Sequence, residues 1–236
     1  AQLPNILIVL GTELIVQYDR TGDISDLNQG IEVCRRAVNQ TPEKDPKLPM
    51  LLTVLGSGLI VRYDRRGDIS DLNQGIEVCR RAVSLTPENS SGLGFSLTHL
   101  GNGLRNRYNR TGNLSELEAA IEVHRRAVSL ASESSPVLSG CLGNLGNSLV
   151  DRFHRIGNLS DLEEAIEVHH SAVSFAPEDD PELPLLLSSL GMVLRERYLH
   201  TGSPSDLKKS IEVCQKAVSL APEGFSGIAT LLNNLS

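Results

Sequence analysis

Four cysteines and six histidines are the residues of this 236-residue chain best suited to hold a metal or act as nucleophiles. Five of the ten, Cys34, Cys79, His124, His169 and Cys214, recur at a constant interval of 45 residues. Repetition at that interval puts them on equivalent positions of successive structural units, about one helix-pair thickness, roughly 10 Å, apart. A zinc ion holds its ligands within about 2.3 Å, and a disulfide needs Cα atoms within about 7 Å. The column therefore reads as core filling, and no metal site and no cofactor is expected. Cys141 has no partner column. His169 and His170 point in different directions on a helix, and His154 and His200 fall near helix ends, where solvation is the simpler reading. Gly56-Ser57-Gly58 and Gly101-Asn102-Gly103 lack a preceding strand and a following Lys-Ser/Thr, so they are not phosphate loops. No nucleophile, base and orienting group come together, and no catalytic residue is assigned.

A second chemical column is Arg62, Arg107, Arg152 and Arg197, with Gln17 in the first position. Free guanidinium groups in a row could hold phosphopeptides. The favoured expectation is that each pairs with an acidic residue of its own or the next unit, because Asp26, Asp71, Glu116, Asp161 and Asp206 form a matching column.

These columns belong to a repeat that organises the chain. Leu-Gly recurs at 10, 55, 100, 145 and 190, a ring at Tyr18, Tyr63, Tyr108, Phe153 and Tyr198, and glycine at 22, 67, 112, 157 and 202. Proline closes the units at 42, 87, 177 and 222, with Ser132 substituting once. The expected units are 1–45, 46–90, 91–135, 136–180 and 181–225, with 226–236 opening a sixth on Leu232 and Leu235. A chain that starts and stops inside helices, without a polar capping helix at its C-terminal end, suggests a segment of a longer array.

Each unit reads as two helices. Leu7, Leu10, Leu14 and Tyr18 make one stripe of the first, which ends on the left-handed glycine. Ser25, Ser70, Ser115, Ser160 and Ser205 are expected to cap the second, with capping boxes at Ser115/Glu118 and Ser160/Glu163. Leu27, Ile31, Cys34 and Val38 face inward, and pairs such as Glu77–Arg81 and Glu122–Arg126 lie on the wet face. Proline ends that helix. A single helix pair cannot bury its stripe, so the units must stack.

Composition agrees. Hydrophobic residues make up 40% of the chain and aromatics 3%, with no Trp, so the core is aliphatic. The net charge of −7, with a pI near 5.4, argues against nucleic acid as a general partner. No apolar run approaches a membrane span and no signal peptide is visible, which leads to expectations of no membrane partner and a cytoplasmic location.

The columns resemble the tetratricopeptide repeat. Leu10-Gly11 matches its Leu-Gly, and Leu14 its first ring slot. Gly30, Gly75, Ala120, Ala165 and Ser210 match its small-residue slot, the Cys/His column its second ring slot, and Ala37 and Pro42 the close. The period of 45, against 34 in the common version, looks like the long repeat of large fungal proteins, where such arrays are joined to caspase-like protease or nucleotide-binding switch domains. The resemblance implies an all-α, right-handed α-solenoid of antiparallel helix pairs. It implies a non-catalytic protein-interaction scaffold, with a protein or peptide partner that could be a domain of the same polypeptide. Head-to-tail self-association is the structural alternative.

In this family the side of the first helix opposite its leucine stripe faces a concave groove, and helical geometry selects the same residues. They are Asn5, Val9, Thr12 and Val16; Met50, Val54, Ser57 and Val61; Phe95, His99, Asn102 and Asn106; Gly140, Asn144, Asn147 and Asp151; and Leu185, Ser189, Met192 and Glu196. Of these, Val9, Val16, Val54, Val61, Phe95, His99, Asn102, Asn106, Asn144, Asn147, Asp151, Met192 and Glu196 are the candidate peptide-binding residues. Asparagine, with donors and an acceptor, can hold a peptide amide in either direction. Asp151 and Glu196 favour a basic residue.

Overall fold

The computed structural model describes residues 3–132, 135, 137–222, 228 and 231. It divides into two compact units, residues 1–130 and 131–236. All the regular structure among the described residues is helical. The N-terminal unit holds α1 (Leu3–Thr21), α2 (Ile24–Gln40), α3 (Leu48–Arg66), α4 (Ile69–Leu85), α5 (Gly92–Thr111) and α6 (Leu114–Leu130). The C-terminal unit holds α7 (Leu138–Ile156), α8 (Leu159–Phe175), α9 (Leu183–Thr201) and α10 (Pro204–Leu220).

Glycine and proline set the helix ends. Gly67, Gly112, Gly157 and Gly202 each adopt a φ of 70–72° directly after the first helix of a pair. Each donates its N–H to the ring-residue carbonyl four positions back, at 2.7 Å. A Cβ there would meet nothing nearby, so backbone conformation alone demands glycine. At the other end, Thr41, Thr86, Ala176 and Ala221 are extended, with ψ of 124–130°. Each precedes a proline, whose ring disfavours helical geometry in the residue before it.

The caps lie two residues earlier than the serines. Asp23 and Asp68 accept a hydrogen bond on the side chain from the N–H of Ser25 and Ser70 at 2.9 Å. Asn113 and Asn158 accept equivalently from Ser115 and Ser160 at 3.2 Å. The helix already starts at the residue after the Asp or Asn, so the serines sit inside the first turn as partners of the cap. Ser203 takes the position in α10.

Within each pair the two helices pack along their length, and each second helix also packs on the next first helix of its unit. Leu27, Ile31, Cys34, Leu55 and Leu59 form one such core, and Ile60, Leu72, Ile76, Cys79, Leu100 and Leu104 the next. Leu10 is exposed, whereas Leu55, Leu100, Leu145 and Leu190 of its column are buried. Within each unit that leucine is covered by the preceding second helix, as Leu55 is by Val38. First helices also touch one another: α1 with α3, α3 with α5, and α7 with α9. A buried bond of 2.7 Å between the Thr53 and Ser96 hydroxyls ties α3 to α5.

The small residues of Leu-Gly have a specific reason. A Cβ on Gly11, Gly56 or Gly191 would collide with the sulfur of Cys34, Cys79 or Cys214, and one on Gly101 or Gly146 with the ring of His124 or His169. The Cys/His column thus fills the space opened by the glycine on the facing helix. Where the small-residue slot is Ser210, its hydroxyl donates to the Gly191 carbonyl at 2.7 Å. Burial pushes the Cys34 thiol up to about 11 and Cys79 up to about 12, so neither is a nucleophile at neutral pH.

Candidate functional site

The first helices present one face in each unit, and the candidate residues distribute along it unevenly. In the N-terminal unit Val9 and Val16 are exposed on α1. Val54 is only 9% exposed and packs with Tyr18, Leu55 and Leu59, and Val61 is half-buried against the same cluster. Contact of α3 with both α1 and α5 closes that stretch, so Val54 offers core surface rather than a pocket. Phe95 is exposed and stacks edge-on against His99, with centroids 4.5 Å apart. Met50 and Phe95 line a cavity of about 340 Å³ between the starts of α3 and α5, with Pro46, Pro49 and Pro87.

The polar residues of this stretch are partly committed. Asn102 Oδ1 lies 3.2 Å from Nε2 of the fully buried His124, so this amide serves the core as well as the surface. Asn106 donates to Asp64 Oδ1 at 2.8 Å, bridging α5 to α3. Among the described residues His99 Nε2 is buried without a hydrogen-bond partner. Burial holds the imidazole of His99 down at about 4, as it does that of His124, where Arg105 adds repulsion. Both rings are neutral at pH 7.

In the C-terminal unit Asn144, Asn147 and Asp151 are half-buried on α7, and Met192 is exposed on α9. Asn147, Met192 and Glu196 line one cavity of about 160 Å³, together with Ser189, Val193 and His154. Glu196 is flanked by His154 Nε2 at 3.6 Å and His200 Nδ1 at 3.9 Å. The side chain of Asn5, and Leu232 and Leu235 altogether, fall outside what the structure describes.

The arginine column is closed. Arg62 meets Asp71, Arg107 meets Glu116, Arg152 meets Asp161 and Arg197 meets Asp206, at 2.5–2.7 Å. Three of the four are two-pronged, through Nε and Nη2. Each links the end of a first helix to the first turn of its own second helix. The guanidinium of Arg197 holds the Asp206 carboxyl below its ordinary value. These arginines therefore clasp helix pairs, and no phosphopeptide ladder is available from them. The expected Glu–Arg pairs along the second helices are also redirected. Arg81 reaches Glu43 at 3.7 Å and Arg126 reaches Glu88, each an acid just after the proline of the preceding pair.

Two features escaped the sequence. The bond from Asn102 to His124 joins different helices and has no local signature. The ring of Tyr18 receives the Arg65 guanidinium, 5.6 Å from its centroid, and the equivalent Phe153 receives His200 at 4.9 Å. Columns 18 and 20 of the repeat could have suggested this pairing, since ring and cation recur together.

Among the described residues no helix is long and apolar enough to cross a membrane, and no three His, Cys, Asp or Glu side chains cluster as a metal site. No protein-family model matches the sequence, and neither does any curated protein. Solved structures do match. The chain is similar to TTC0263, a thermophilic TPR protein of Thermus thermophilus, with a TM-score of 0.67 and 16% identity over 98% of both chains. It is similar to the nearly identical TPR-like repeats of a putative kinesin light chain from Podosopora anserina, with a TM-score of 0.62 and 14% identity over 92% of this chain and 98% of that one. YrrB, a TPR protein with an unusual peptide-binding site, gives 0.52 and 14%, over 93% and 89%. Identities this low speak for architecture alone: the chain has the all-α solenoid fold of tetratricopeptide-repeat proteins.

Proposed function

We propose that the chain is a non-catalytic scaffold that binds an extended peptide, or a peptide-like segment of a partner surface, across the first-helix face of its units. The observation that carries this is the set of large apolar side chains left open there: Met50, Phe95, Leu185 and Met192 are each 40–45% exposed. Open apolar side chains beside polar groups are the ordinary composition of a recognition surface. In the C-terminal unit, Asn144 and Asn147 can hold peptide amides. The Met192 cavity takes an apolar side chain, and Glu196 a basic one a residue or two away. YrrB, of similar fold, is described as having a peptide-binding site, which is consistent with this reading. A domain on the same polypeptide, such as the caspase-like domains that accompany long fungal repeats, would meet the same requirements as a separate partner.

A fluorescent peptide array with apolar and basic residues at varied spacing tests the proposal. Asn144→Ala with Asn147→Ala is expected to weaken the best binder by about tenfold or more, since two amide contacts are lost, with an unchanged melting temperature. Glu196→Gln is expected to remove the preference for Lys or Arg. Unchanged affinity in both variants overturns the proposal.

A further inference from the structure

The opposite side of each unit carries a different kind of cavity. First helices of neighbouring pairs touch, but α2 and α4 do not approach each other closely, nor do α8 and α10. Each gap is open over the first helix between them. The gap between α8 and α10 encloses about 380 Å³ and is floored by Leu187, Leu190 and Leu194 of α9, with Val173 and Val213 as walls. The gap between α2 and α4 encloses about 360 Å³, floored by Leu52 and Leu55 and walled by Val38 and Val78. Leu52, Leu55, Val38 and Val78 stand three repeat lengths before Leu187, Leu190, Val173 and Val213. The cavity is thus written into the repeat.

The rims distinguish the two. Around the α2/α4 gap the cations are engaged: Arg35 with Glu32 at 3.8 Å and Arg81 with Glu43 at 3.7 Å. Around the α8/α10 gap stand Lys209, Lys216 and His170, with Glu212 as the acid. Glu212 is approached by Lys208 at 3.8 Å, and among the described residues neither Lys209 nor Lys216 forms an ion pair. Arg197, also on the lining, is spent on Asp206. This is an apolar trough with a locally basic edge, on a chain whose net charge is −7.

We propose that the α8/α10 gap docks the apolar face of an acidic amphipathic helix from a partner protein. Its lining runs from Ile166 to Ser174 on α8 and from Lys209 to Lys216 on α10, about two helical turns or 12 Å at 1.5 Å per residue. That length matches a helix presenting apolar residues at i, i+3 or i+4, and i+7. An extended peptide needs partners for its backbone amides. The trough offers aliphatic walls and ammonium groups, unlike the asparagines of the other face. Carboxylates flanking the apolar stripe would meet Lys209 and Lys216.

The test uses the full chain and a labelled 14-residue helical peptide with Leu at positions i, i+4 and i+7, flanked by Glu, read by fluorescence anisotropy. Saturable binding is expected. Lys209→Glu with Lys216→Glu should weaken it about tenfold, in line with two exposed charge pairs, and a peptide with Lys in place of Glu should recover that loss. Val213→Asp should abolish binding, with circular dichroism confirming that helix content is retained. Asn144→Ala with Asn147→Ala should leave this peptide unaffected, which separates the trough from the first-helix face. The proposal is overturned by no saturable binding, by equal binding of a scrambled peptide or a fatty acid, or by affinity unchanged in the charge-reversed chain. Concentration-dependent self-association that competes with the peptide would assign the trough to a second copy and overturn it as well.

Discussion

His124 concentrates the residue-scale physics of this chain. Its imidazole fills the space left by Gly101, is fully buried, and shares a hydrogen bond with Asn102. Gly101→Ala forces a methyl group into that ring, and a destabilisation of about 1–3 kcal/mol is expected in urea melts. Adding His124→Ala should return part of the loss, because the two residues occupy one volume. The same histidine makes stability depend on pH. An unfolded imidazole takes up its proton near 6.5, whereas the folded one waits until about 4. Between those values the unfolded chain binds more protons, so stability falls as pH falls, by up to about 1.4 kcal/mol per unit. His124→Cys installs the residue that fills this slot in three other units. Its stability relative to the parent should therefore improve between pH 7 and pH 5 in paired urea melts. The sequence made the core role of the Cys/His column legible through its period. It did not reveal that Asn102, a candidate for ligand contact, also serves His124, because that bond depends on how two helices meet.

At the scale of the element, the four helix pairs that carry the arginine are each held by a clasp between the end of the first helix and the start of the second. Asp161 is almost fully buried, and its two oxygens meet Arg152 Nε and Nη2 at 3.0 and 2.6 Å. Arg152→Ala leaves that carboxylate without its cation, and a loss of about 2–3 kcal/mol is expected by thermal or urea denaturation. Arg152→Lys should recover only part of it, since one ammonium cannot reproduce a planar two-pronged contact. Helix ends were readable because glycine with positive φ and the residue before proline leave the backbone little choice. The caps were misplaced because Ser25 and Asp23 are both good capping types two positions apart, as are their equivalents. The extended residue after the glycine settles which one stands outside the helix. The clasp itself was readable from two matched columns of opposite charge.

Over the whole molecule, contacts within each unit run from a helix pair to its neighbours, so a local lesion should spread by proximity in sequence. In hydrogen exchange, Gly101→Ala is expected to speed amide exchange in α5 and α6 first and in α4 next, with α9 and α10 affected least. Uniform loss of protection from α1 to α10 would show instead that the chain opens as a single cooperative body. The period predicted which residues recur, but not the open gaps between second helices, because gap width follows from helix spacing and not from residue type. Some of the recurrence is literal: residues 22–38 and 67–83 are the same seventeen-residue string, from glycine turn to Val38 and Val83. A gene with such identical stretches is open to unequal crossover. Because the glycine turn recurs in all five pairs and the arginine clasp in four of them, the product would gain or lose whole modules joined by the same local geometry. Array length could then change by whole modules while each module keeps its geometry, and the first-helix surface would grow or shrink one notch at a time.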